Sequence, residues 1–137
     1  MTTVSESVIR WLKGFDASRL KTVNTDILTA DVKSYALIKE PVQNVQSFLS
    51  RRKIITDHFT LMARLSSKTN STRIDNSSFG EALADWIDTQ NSTGNYPVVE
   101  GAKVQEINVT TPFYLGQSEE NDSLYQLTIA IKYMKEN

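Results

Sequence analysis

His58 is the only histidine in the 137-residue chain. General-base work needs that imidazole beside a proton to remove and a third group to orient it. His58 sits mid-strand, on the face opposite Phe59, and the sequence nominates no carboxylate or nucleophile to accompany it. It therefore reads as a surface or rim histidine. The chain has no cysteine, which removes disulfides, zinc-thiolate sites and cysteine nucleophiles together and fits a reducing cytoplasm. Glu119, Glu120 and Asp122 form a close acidic group, but they lack the glycine-centred spacing and twelfth-position glutamate of a calcium loop. They read as a solvated loop. Among five glycines no Gly-x-Gly-x-x-Gly or Walker pattern occurs, so no nucleotide cofactor has a signature. The expectation is a non-enzymatic chain with no catalytic, cofactor-binding or metal-ligating residue. The chemistry left is electrostatic. Arg51-Arg52-Lys53 is the one compact basic cluster, read as a hairpin tip or as an anion-binding or subunit-contact loop, since arginine pairs well with carboxylates across interfaces.

Composition narrows the partners. The 15 basic and 16 acidic side chains give a formal charge of -1, so no overall field drives the chain onto nucleic acid or an anionic membrane. Hydrophobic residues at 39% and charged residues at 23% belong to a folding globular sequence, and the length fits one domain over residues 1–137. No basic run followed by an apolar segment opens the chain, and no apolar stretch reaches about 18 residues. Neither export by a visible signal nor a membrane-spanning helix is expected. Asn70-Ser71-Thr72 and Asn91-Ser92-Thr93 have the glycosylation form, but without a secretory route they read as polar loop composition.

The elements that must position these residues follow from periodicity. Thr3-Val4-Ser5-Glu6 has capping-box form. Val4, Val8, Trp11, Leu12 and Phe15 then share one helical stripe, predicting a helix to about residue 15. Residues 16–33 read as a loop or a short element. Tyr35 to Glu40 predicts a strand stopped by Pro41, and Val42 to Leu49 a weaker one. Phe59, Leu61, Ala63 and Leu65 alternate against His58, Thr60, Met62 and Arg64 as a half-buried strand. Ser66 to Asn76 reads as a loop because its Ser, Thr and Asn side chains compete for backbone bonds. A second helix follows, capped at Ser78 with Glu81, or at Asp75 or Asn76, with Phe79, Leu83, Trp86 and Ile87 buried. Gly94 and Pro97 end it. Val104 to Thr111 is strand-like up to Pro112, and Tyr125, Leu127, Ile129, Ile131 and Tyr133 alternate strictly in a closing strand. Grouped strands favour an α+β domain, with a mainly antiparallel sheet of four to five strands on two helices, in the order α-β-β-β-α-β-β.

Four segments together resemble a known family. They are Val8-Ile9-Arg10-Trp11-Leu12-Lys13-Gly14-Phe15, His58-Phe59-Thr60-Leu61-Met62-Ala63-Arg64, Asp75-Asn76 with Phe79, Glu81, Leu83, Trp86, Ile87 and Gln90, and Tyr125-Gln126-Leu127 with Tyr133. In order and over nearly the whole chain, they resemble the minor capsid or tail terminator (head-tail joining) family of siphophages and prophages of Gram-positive bacteria. The resemblance implies a structural virion component assembled in the bacterial host cytoplasm. It implies a homo-oligomeric, hexameric ring that caps the tail tube and meets the head connector, with no specific nucleic acid and no membrane. Loops around 50–54, 66–75 and 116–123 become the expected contact surfaces. Ring closure joins two different patches, and opposite charge pairs Arg51, Arg52 and Lys53 with Glu119, Glu120 and Asp122 as subunit-contact residues.

Two other classes compete. A small ligand-binding protein or cone-fold enzyme needs polar groups converging in an internal pocket. The inward faces, taken as Phe59, Leu61, Ala63, Leu65 and Tyr125, Leu127, Ile129, Ile131, Tyr133, offer only tyrosine hydroxyls. A nucleic-acid module needs a basic surface, and near-neutral charge with one short cluster argues against it.

Overall fold

The computed structural model describes residues 3–16, 20, 22–26, 28, 34–118 and 121–136. Thr3 caps helix α1 (Val4–Leu12) as its sequence requires, its hydroxyl accepting the Glu6 N–H at 3.1 Å. The helix ends at Leu12, short of Phe15, but Gly14 and Phe15 continue in tight turns, donating to the carbonyls of Trp11 and Leu12 at 3.0 Å. Phe15 thereby stays on the buried side. Strand β1 (Val23–Thr25) occupies part of the stretch with no readable pattern. Three residues are too few for a period to show.

Strand β2 (Ser34–Ser47) is continuous where the sequence predicts two strands. Pro41 lies within a register shift between Lys39 and Gln43, where a bulge absorbs the missing donor. Strand β3 (Arg52–Ser66) follows with the expected alternation. Helix α2 (Asn70–Thr93) begins more than two turns before Ser78, which corrects both the predicted cap and the predicted loop. Thr69 and Thr72 form the capping box, with Thr72 N–H donating to Thr69 Oγ1 at 3.2 Å and Thr69 N–H to Thr72 Oγ1 at 3.1 Å. Arg73 Nη1 and Asn76 Nδ2 then donate to the carbonyls of Ser67 and Ser66 at 2.7 and 2.8 Å, tying the first turns to the end of β3. Composition that reads as loop becomes helix because these bonds satisfy its polar groups. Gly94, at φ 76°, ends the helix in the left-handed conformation that suits glycine. Thr69→Ala is expected to cost about 1 kcal/mol of stability, measured by urea unfolding.

Strand β4 (Ala102–Gln117) runs through Pro112, which lies within a register shift between Thr111 and Tyr114. An edge strand tolerates proline because its outward N–H has no ladder partner. Strand β5 (Asp122–Glu136) buries Tyr125, Leu127, Ile129, Ile131 and Tyr133 as predicted. The sheet order is β1-β2-β3-β5-β4, antiparallel except for the parallel β1–β2 pair. The fold is α+β in the predicted element order. Both helices meet over one face through an aromatic chain. Trp11 packs on Trp86 at 4.7 Å between centroids, Phe15 on Trp86 and Phe79, Phe79 on Tyr35 and Phe113, and Phe113 stacks on Tyr125 at 5.3 Å. Trp11 is thus core, and its indole N–H donates to the Asn95 carbonyl at 2.8 Å.

Candidate subunit-contact surfaces

The strands outrun the helices. At about 3.3 Å per residue, the 15 residues of β3 span roughly 50 Å, whereas the 24 residues of α2 span about 36 Å. The sheet end that passes them holds the β2–β3 hairpin, in which every residue from Pro41 to Arg52 is exposed while β3 stays paired with β5 as far as Arg52. Val42, Val45, Phe48 and Leu49 stand in solvent there, with Leu49 wholly exposed. Val42 and Val45 fall on opposite faces of β2, while Phe48 and Leu49 stand together at the turn, where adjacent exposed apolar side chains suit an interaction site. At the tip, Arg51 adopts φ 69°, a conformation unusual for a side-chain-bearing residue, and its N–H donates to the Phe48 carbonyl at 3.0 Å. Arg52 and Lys53 open β3. Lys53 lies directly opposite Lys135 on β5, which concentrates positive charge where like pairs oppose each other.

The predicted acidic partner is placed differently. Asp122 is the first residue of β5, not a loop residue, and its Oδ1 lies 3.8 Å from Arg64 Nη1. Glu119 and Glu120 lie outside the described residues. Arg52 and the Ser66–Asp122 pair mark opposite ends of β3, about 45 Å apart at strand rise. One subunit therefore does not bring the basic trio to Asp122. The predicted contact loop 66–75 is largely the first turns of α2.

Sequence reasoning missed a second acidic surface. Residues 74–102 contain Asp75, Glu81, Asp85, Asp88 and Glu100 and no lysine or arginine. Glu81 and Asp85, one helical turn apart and exposed, flank an open groove of about 430 Å³ between α2 and β4. Its remaining lining is Ser77, Gly80, Ala84, Pro112 and Phe113. The run of acids without intervening bases was visible in the sequence; the apolar floor was not, because Pro112 and Phe113 come from a distant strand.

Two polar groups flank each other on β3. Asp57 faces the helix side, 0% exposed, and accepts Gln43 Nε2 at 2.6 Å and Tyr133 Oη at 2.7 Å. Burial first, then the hydrogen bond to Asp57 and its negative charge, push the Tyr133 hydroxyl above the ordinary tyrosine range. Asp57 shares the odd-residue face of Phe59, so its parity alone exposes it as a buried carboxylate; the inner face is not limited to tyrosine hydroxyls. His58 points to the other face, as expected, with Nδ1 buried and without a hydrogen-bond partner. Thr60, on that same face, donates to Glu40 and lies 3.3 Å from Thr128 Oγ1.

Among the described residues, no group of three or more His, Asp or Glu side chains is arranged to hold a metal ion, and no helix is long and apolar enough to cross a membrane. No protein-family model matches the chain, and a search of curated proteins returns no match.

Proposed function

We propose that this chain is a non-enzymatic structural subunit of a bacteriophage or prophage virion, a tail terminator or minor capsid protein that forms a ring at the head-tail junction. The observation that carries the reading is the exposed β2–β3 hairpin arm at one end of the sheet, with Val42, Val45, Phe48 and Leu49 in solvent beside three basic residues. Building and exposing such an arm is costly for a protein that works alone. The resemblance of the quoted segments to the head-tail joining family supplies the place in the virion. Its partners are further copies of itself, the tail tube and the head connector; the net charge of -1 supports protein partners over DNA.

Deleting the gene from a phage-producing strain is expected to leave filled heads and tails unjoined in electron micrographs, with joining restored by the gene in trans. Intact joined virions from the deletion strain would contradict the proposal. The pocket-enzyme alternative draws on Asp57, a carboxylate buried under the helices. That carboxylate already holds two donors from its own sheet, Gln43 and Tyr133, and this pairing favours a structural role.

A further inference from the structure

Resting on that ring reading, we infer that the β2–β3 arm of one copy docks into the α2–β4 groove of the next, with Phe48 and Leu49 over Phe113 and Ala84 and the basic trio against Glu81 and Asp85. Residues 41 to 53 carry Arg51 and Lys53 beside Arg52 and no acid, while the groove is lined by Glu81 and Asp85 and by no base. In a chain of net charge -1, such separation is complementarity looking for a second molecule. The apolar parts match as well. Phe48 is 43% exposed and Leu49 107%, and the groove presents the half-buried Phe113 ring and Ala84 between its acids. Anchors of this kind, surrounded by complementary charge, are how a small patch gains affinity.

The arm cannot reach its own groove. Phe113 adjoins Tyr114, which pairs with Gln126 and through it with Met62, so the groove lies about ten residues along β3 from Arg52. That is roughly 30 Å of stiff antiparallel sheet. Two different patches that never meet within one subunit make a head-to-tail contact, the kind that closes into rings. The unfavourable Lys53–Lys135 and Glu81–Asp85 proximities are then relieved together on assembly.

The absence of native cysteines makes the contact directly testable. Leu49→Cys protein is mixed with an affinity-tagged Ala84→Cys protein at high concentration and mildly oxidised. The expected result is a tagged heterodimer about tenfold above that from Leu49→Cys with Val98→Cys, since docking raises the effective thiol concentration. The double variant in one chain should give a ladder ending at one closed species. Ser77→Cys, on the exposed rim, repeats the test if Ala84→Cys fails to fold. Assembly in native mass spectra without this cross-link overturns the arm-groove contact and leaves the ring reading standing. Equal cross-linking to Val98→Cys, or Leu49→Cys joining chiefly to itself, also overturns it. A chain that neither assembles nor cross-links overturns both.

Discussion

Replacing Gly80 with alanine is expected to destabilise the protein by about 2–3 kcal/mol. Helix propensity alone predicts the reverse, because alanine in a helix interior is about 1 kcal/mol better than glycine. The reason is the close approach of β4. A Cβ at position 80 would lie 2.2 Å from Phe113 Cδ2, 2.4 Å from Cγ and 2.6 Å from its Cβ. Rotating the ring does not remove the last clash, since Phe113 Cβ moves only with the strand backbone. The ring is also fixed by stacking on Tyr125 at 5.3 Å and by Phe79 at 5.8 Å. The melting temperature should fall by on the order of 10 °C at this chain length. Gly80→Ala with Phe113→Ala should cost less than the sum of the single changes, because the second removes the obstacle to the first. A Gly80→Ala protein as stable as the parent would mean that α2 and β4 are not packed this closely.

Tyr133→Phe is expected to cost about 2–3 kcal/mol near neutral pH, because it leaves the buried Asp57 carboxylate short of one of its two donors. The pH dependence tests whether the folded state holds this hydroxyl protonated, as its burial first and its bond to Asp57 next require. The hydroxyl of Tyr133 is held above its ordinary range in the folded state, and an unfolded tyrosine titrates near about 10. Above that pH the unfolded chain loses this proton while the folded chain keeps it. Stability contributed by the tyrosine is therefore complete below about pH 10 and declines as pH rises further. The difference between parent and Tyr133→Phe in urea unfolding should be constant from neutral pH to about 10 and shrink above it. A difference that stays the same above about pH 10 would mean that the folded hydroxyl loses its proton as readily as an unfolded one.

Strong periods were legible and weak ones were not. The strict alternation from Tyr125 to Tyr133 and the stripe from Val4 to Phe15 each identify an element, because burying one face leaves a regular mark on the sequence. β1 leaves none in three residues. The start of α2 is hidden because Thr69, Thr72, Arg73 and Asn76 look like loop chemistry until their partners at Ser66 and Ser67 are seen. Pro41 and Pro112 read as stops, yet a bulge and an edge position let both strands continue. The basic arm was legible as Arg51-Arg52-Lys53. The groove was not, because its floor joins α2 to a strand some thirty residues later, a pairing set by tertiary packing alone.

In the proposed ring, identical copies close on one another through the exposed β2–β3 hairpin. Native mass spectrometry of the purified chain across a rising concentration series tests it most directly, with Arg51, Arg52 and Lys53 all changed to glutamate as the comparison. One discrete closed species, a hexamer by the resemblance, is expected with no larger polymers, and the charge-reversed chain should revert to monomer. A monomer at every concentration, or an assembly whose mass is untouched by reversing the three charges, would contradict it.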